Sequence, residues 1–445
     1  MGAGTRLGTL ALSVIAIVLA ASLAALVAGC GSTARTDPTP PTTTAGRSNA
    51  PPAGPSVPPA VPPAVPPAVP PADAAALRNG NARFAGRLFA TIARGPENVA
   101  LSPASISQAV SMAFAGARGT TAAQIARALD FTLPPARLSA AFAGVDHSLA
   151  AVNGAGHELD VANAMYGQAG LGFRRAFLAL MARDYAAGLR TADFARDAAA
   201  ARAEINAWVA AQTRGKIPDL MGPGDVDQTT KLVLVNAVYL DAKWLQPFAH
   251  DNTFAASFHA PAGTVKVPTM HQTGVFGYVQ GAGYQALELP YQGGRLAFDI
   301  LLPSPGGYGS LLSRLGGEGP LPLLSGLRRT QVAVALPKFR LTTHVELAGP
   351  LSAIGMRLAF DPGRADLSGI AGVPGYLYVR AVVHEAYLSV DEAGTEAAAA
   401  TGIGISGTAV PAPPRTRLNV DRPFVFALRD TRTGAVLFMG SVSDP

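Results

Sequence analysis

Apolar positions recur along this chain at two periods, and the period changes at identifiable points. From Asp73 the spacing is helical, with Leu77, Phe84 and Leu88 on one face. A short apolar run at residues 99–101 then meets Ser102 as a helix N-cap, with Pro103 at the first helical position. Ile106, Val110 and Phe114 line this second helix and Gly116 stops it. A third helix follows from Thr120 or Thr121 through Ile125 and Leu129. Residues 232–240 form a nearly unbroken apolar run, which predicts a central strand covered on both faces. Asn236, in its middle, needs a hydrogen-bond partner if buried. Further strands are predicted at residues 265–270, 286–291, 296–303, 332–339 and 383–390. Residues 306–319, rich in glycine, predict only a connection.

Residues 391–410 carry the most unusual pattern. No proline occurs there, and the alanines favour helix on propensity alone. At a period of two, however, the segment is two-faced. Thr395, Ala397, Ala399, Thr401, Ile403, Ile405 and Gly407 form a small or apolar row. Glu396, Ala398, Ala400, Gly402, Gly404, Ser406 and Thr408 form a small or polar one. That is a strand with one buried face. The segment is suited to two states, an exposed loop and a strand inside a sheet.

Composition changes this picture mainly at the N-terminus. Only 14% of the 445 residues are charged, and the net charge of +6 is spread thinly, with no basic block to track phosphates. Nucleic acid is not an expected partner. Arg6 followed by an uncharged apolar stretch reads as a signal peptide over residues 1–29. It ends in Val27-Ala28-Gly29-Cys30, which resembles the bacterial lipobox. Its apolar run is also about long enough to span a bilayer as a signal anchor. The small residues at the cut site, and the position of the single cysteine at Cys30, favour lipidation there. The implied location is the cell membrane, facing outward from the cytoplasm, with a body that holds no disulfide. Residues 30–73 read as a tether in which Val-Pro-Pro-Ala occurs four times from Val57. Polyproline II geometry at ~3.1 Å per residue gives a reach of about 120 Å. A PxxP ligand is the alternative, but nothing basic accompanies the repeats. Residues 74–445 are the folded body.

Several motifs in that body resemble the serpins, the serine protease inhibitor family. Residues 390–401, Val-Asp-Glu-Ala-Gly-Thr-Glu-Ala-Ala-Ala-Ala-Thr, are similar to the hinge of the reactive-centre loop in inhibitory members. Ser102-Pro103-Ala104-Ser105-Ile106, Thr213-Arg214-Gly215-Lys216-Ile217, Ala365-Asp366-Leu367-Ser368-Gly369-Ile370 and the terminal strand pair near residues 421–426 and 436–442 also have family counterparts. So does Lys243-Trp244-Leu245-Gln246-Pro247-Phe248, with Ala242 in place of the usual glycine. The resemblance runs from about residue 75 to 445. It implies an α+β serpin fold: a large mixed central β-sheet, two further sheets, eight to nine helices and an exposed reactive-centre loop. The hinge would comprise Glu392, Gly394, Thr395, Glu396, Ala397, Ala398, Ala399, Ala400 and Thr401. The shutter and breach, where the sheet opens, would be marked by Ser102, Ser105, Asn206, Trp244 and His384, with His384 bonding toward Asn206.

The activity so implied is inhibition of a serine-type endopeptidase by suicide-substrate trapping, in which the cleaved loop inserts into the central sheet. The partner would be a serine protease held as a covalent acyl-enzyme complex, and the inhibitor a monomer. Counting from Glu392 places the reactive bond at Thr408-Ala409, which suits an elastase-like or subtilisin-like target. The segment up to Pro423 is longer than usual and carries Pro411, Pro413 and Pro414, so neighbouring bonds are alternatives. Arg415 and Arg417 would suit trypsin-like proteases but lie too far along. A non-inhibitory serpin acting as a surface binding protein is the other reading. An enzyme is not expected. Gly404-Ile405-Ser406-Gly407-Thr408 misses G-x-S-x-G at its last position, and His384-Glu385-Ala386-Tyr387-Leu388 lacks the second histidine of H-E-x-x-H. Ile217 follows Gly215-Lys216 where a phosphate loop needs Ser or Thr, and the histidines lack metal-ligand spacing. No cofactor or metal is implied.

Overall fold

The computed structural model describes residues 69–151, 153–154, 157–185, 188–395 and 416–445. Residues 1–68, with Cys30 and most of the tether, lie outside it, as do hinge residues Glu396, Ala397, Ala398, Ala399, Ala400 and Thr401 and the expected reactive bond Thr408-Ala409. The described chain begins with α1 (Pro71–Ile92), β1 (Val99–Leu101), α2 (Pro103–Gly116), α3 (Gly119–Leu129) and α4 (Pro135–Ala150). Next come β2 (His157–Gln168), α5 (Arg175–Asp184), β3 (Leu189–Ala192), α6 (Ala198–Gln212) and β4 (Leu232–Lys243). β5 (Thr253–Ala260), β6 (Gly263–Gly281), β7 (Tyr284–Pro290) and β8 (Leu296–Pro303) lead to α7 (Tyr308–Glu318) and α8 (Leu321–Leu324). β9 (Arg328–Pro337), β10 (Phe339–Glu346), α9 (Ala348–Ala353), β11 (Ala381–Val390), β12 (Gly394–Thr395), β13 (Thr416–Asn419), β14 (Phe424–Asp430) and β15 (Val436–Val442) complete it.

The first helix starts at Pro71, three residues before the expected boundary at 74. Two contacts draw the end of the tether into the fold. Asp73 is buried and accepts from Arg137 of α4, whose hydrogen bond holds its carboxyl below the usual range. Val69 packs against the core, filling the notch left by Gly144, where an added Cβ would lie 2.2 Å from its Cγ2. The 306–319 stretch differs more. It is not a connection but helix α7, with Leu311 and Leu315 buried one turn apart. Gly86 of α1 lets the two helices touch, since a Cβ there would stand 1.9 Å from the carbonyl oxygen of Leu315. Packing of that face outweighs the low helix propensity of its glycines.

Two sheets are present among the described residues. One has six strands in the order β10-β11-β12-β4-β2-β3 and is mixed, with β11–β4 and β2–β3 parallel. The other strands join in a nine-stranded array, β1-β15-β14-β8-β7-β6-β9-β13 with β5 beside β6. The 19-residue β6 runs through it, pairing with β5, β7 and β9, so the two further sheets of the expected fold are continuous through this one strand. β4 is buried from Leu232 to Leu240, as its unbroken apolar run requires. Alternate side chains face opposite layers. Val233, Val235 and Ala237 pack beneath α6 with Ile205 and Val209, while Leu232 and Leu234 join the core built on α1, α2 and α4.

Candidate functional site

The features that bear on function lie along one seam of the six-stranded sheet, between β4 and β11. Both strands carry apolar residues on two faces, which buries the seam from either side. The strands pair in parallel from Ala381↔Val233 to Tyr387↔Tyr239 and then separate. Into the fork, β12 is inserted antiparallel to β4, with Gly394↔Lys243 and Thr395↔Ala242. The chain turns back from β11 at Asp391, whose carboxylate accepts from the N–H groups of Ala393 (2.9 Å) and Gly394 (3.2 Å).

The fork is shaped for small residues. A Cβ on Gly394 would lie 2.0 Å from the carbonyl oxygen of Ala242, so only glycine allows this approach. Thr395 is wholly buried, and its hydroxyl shares a 2.6 Å hydrogen bond with the Tyr291 hydroxyl. Burial pushes the Tyr291 phenol up, so it stays neutral. The Tyr291 ring stacks on Trp244 at 4.5 Å. Trp244 donates from Nε1 to the Asp391 carbonyl (2.9 Å) and from its backbone N–H to Ala393 (2.9 Å), while Phe248 donates to the Glu392 carbonyl (2.9 Å). Trp244 therefore stands at the fork, against the turn that leads into β12. The Glu392 carboxylate is buried and accepts from Lys338 Nζ at 2.7 Å. Burial raises its pKa, but the Lys338 hydrogen bond and its other acceptor contacts outweigh that and hold it below the usual range.

Further along the seam a polar row crosses the buried sheet. Asn163, Asn236 and His384 are register neighbours on β2, β4 and β11. His384 Nδ1 bonds to Asn236 Oδ1, and Nε2 accepts from the Ser102 backbone N–H at 3.1 Å. This pairing fits the neutral tautomer with its proton on Nδ1. Burial drives the His384 pKa down to about 3, with nearby His344 acting in the same direction. The Asn236 amide donates to Ser105 and Asn163, and Ser105 donates to Asn163 Oδ1 at 2.7 Å. Asn163 in turn donates to Gln108 (2.6 Å), and Gln108 to Asp146. Burial raises the Asp146 carboxyl to about 7, against the Gln108 hydrogen bond. Each member thus has a partner where an orphaned polar group would be costly.

Two expectations are corrected here. Asn206 is not part of this row. It lies on α6, on the other face of the sheet, and both ends of its amide bond the backbone of Met221. The partner of His384 is Asn236, which the register places beside it. Ser102 occupies the N-cap position of α2, but its side chain makes no capping bond. The structure brings together Ser102, Ser105 and His384 in the row, and Trp244, Glu392, Gly394 and Thr395 at the fork. Sequence reasoning missed Asn163, Tyr291 and Lys338. Only Asn163 left a signal, as a polar residue within the mostly apolar run 161–165.

Comparison with known proteins agrees with this geometry. The serpin (serine protease inhibitor) family profile matches residues 79–445. An uncharacterized serpin-like protein of Thermococcus kodakarensis is 38% identical over 359 residues, 80% of this chain and 83% of that protein. Leukocyte elastase inhibitor A of Rattus norvegicus is 37% identical over 381 residues, 83% of this chain and 99% of its own. A highly specific serpin of the insect Tenebrio molitor, known by crystal structure, superposes with a TM-score of 0.72 at 31% identity, covering 83% of this chain and 98% of its own.

Proposed function

This chain belongs to the serpin family, and on that premise we propose that it inhibits a serine protease by offering residues 396–415 as a substrate and trapping the enzyme. The observation that carries the reading is the pairing of Gly394 and Thr395 with β4 inside the fork. A strand continuing from Thr395 would run antiparallel to β4, along the seam to Tyr239 and beyond. The alternation from Thr395 to Gly407 supplies small or apolar residues for its buried face. In the proposed reaction the protease's serine hydroxyl attacks the carbonyl carbon of Thr408. The peptide bond to Ala409 breaks, the new amine leaves with its proton, and an ester joins Thr408 to the enzyme. Insertion of the freed segment then carries the ester-linked protease away before water can cleave it. The small residues at the bond suit an elastase-like or subtilisin-like specificity pocket, and similarity to the leukocyte elastase inhibitor of Rattus norvegicus supports the same choice.

Cys30 is proposed as the lipidated residue that holds the protein at the outer face of the cell membrane, with residues 31–68 as spacer. Radiolabelled palmitate should enter the wild-type chain and not the Cys30→Ser variant. The inhibitory reading is tested by mixing the chain with an elastase and with a trypsin and running denaturing gels. An SDS-stable adduct whose released peptide begins at Ala409 is expected with the elastase. Clean cleavage without an adduct would overturn inhibition and leave a binding protein of the same fold.

A further inference from the structure

The polar row centred on His384 fastens the seam on one face of the sheet; the other face carries a different device at the fork itself. Tyr239 and Tyr387 are the last register pair of β4 and β11 before the strands part. Their odd-numbered neighbours Val235, Ala237 and Val383 pack under α6, so both rings lie on that face. Lys216 Nζ stands over both, 5.9 Å from the Tyr239 ring centroid and 5.7 Å from that of Tyr387. We propose that Lys216 is a positioning residue for strand insertion, a clasp across the two tyrosine rings that holds the fork closed beyond Thr395. The inference rests on the insertion reading above but concerns a step the reading leaves open, namely what stops the hinge from advancing before cleavage.

The position of Lys216 is built, not incidental. It follows α6 in a tight turn in which Gly215 takes a φ of 76° and Arg214 a φ of 54°. Arg214 fixes the turn to the adjacent strand by donating to Asp160 (2.8 Å) and Glu158 of β2. Thr213 holds it from within, accepting from the Ile217 N–H at 3.2 Å, and Ile217 is fully buried. The ammonium is thus suspended over the seam from an anchored support. Cation–π attraction is useful only within ~6 Å of a ring face. Admitting a strand moves β4 and β11 from one strand spacing, ~4.8 Å, to two. Lys216 Nζ already stands near that limit from both rings, and its turn is anchored, so parting the strands takes at least one ring out of its range. The contact therefore stabilises the closed fork and is lost, for one ring, as the first further residue enters.

Hydrogen exchange of the intact chain, read by mass spectrometry on segments covering residues 236–243 and 384–390, tests this directly. Lys216→Met should speed exchange at the fork roughly two- to fivefold, as expected for one lost cation–π contact. Tyr387→Leu should do the same, and the double variant should add little to either. Lys216→Arg and Tyr387→Phe keep the cation and the ring, and should match the wild type. Unchanged exchange in Lys216→Met, or effects that multiply in the double variant, would overturn the clasp, because Lys216 would then act through some other contact. Heating the protease-cut chain separates the two readings. If Lys216→Met loosens the fork while cleavage brings no gain in thermal stability, the clasp stands and the insertion reading fails.

Discussion

At the scale of single residues, the fork and the polar row give opposite kinds of constraint. Thr395 is tolerated inside the sheet because its one hydroxyl has a partner in Tyr291. An arginine there would bury a charge in a space fitted to one hydroxyl, which costs several kcal/mol. Thr395→Arg is therefore expected to stay outside the sheet and convert the protein from inhibitor to substrate. On denaturing gels the adduct should disappear while the cleaved band persists. His384 sets a pH dependence. Its pKa is about 3 when folded and 6.5 when unperturbed, so above pH 6.5 both states hold it neutral and nothing is lost. As pH falls below 6.5 the unfolded chain binds a proton that the folded chain does not, and stability declines until pH nears 3. The slope from this group approaches about 1.4 kcal/mol per pH unit. Asp146 works the other way, since its folded pKa is raised to about 7 and its contribution, full in acid, fades as pH rises through that value. Thermal midpoints measured from pH 7 to 4 should fall less steeply in His384→Gln than in the wild type, and more steeply in Asp146→Asn.

Elements show where a local pattern can be trusted. β4 was legible because its apolar run is long and unbroken, and the face-alternation that begins at Thr395 pointed to a strand, of which Gly394–Thr395 lie among the described residues. The helix at residues 308–318 was not legible. Its glycines read as breakers, and the reason they are accepted lies in α1, which approaches through Gly86. Gly86→Val should force these helices apart. Overpacking of this kind costs about 1–3 kcal/mol, seen as a lowered thermal midpoint with β4–β11 exchange unaffected. Similarly, the start of α1 at Pro71 is decided by the Asp73–Arg137 pair, whose partner is far along the chain.

For the whole molecule, the closed seam is a state with pairing still to gain. β4 and β11 bond directly to each other up to Tyr239 and Tyr387, and a strand between them would exchange that one ladder for two. About a dozen residues at ~0.5–1.5 kcal/mol each would contribute on the order of 10 kcal/mol. Cutting the loop should therefore raise the thermal midpoint by on the order of 10 °C. A calorimetric scan of the chain before and after limited elastase digestion gives the answer. An unchanged midpoint would mean that the segment does not insert.

By itself the sequence determined the family, the course of the main strands and the two-faced character of residues 395–407, because those depend on periodicity and on motifs of neighbouring residues. It also flagged Asn236 as a buried amide in need of a partner. Which partner was a question of register, and only the tertiary structure could decide it: β11 lies parallel to β4 so that His384, not Asn206, stands beside that amide. The Glu392–Lys338 pair, the stacking of Tyr291 on Trp244 and the reach of Lys216 over two rings belong to the same class. Each joins residues far apart in sequence, and no local pattern encodes a distance across a sheet.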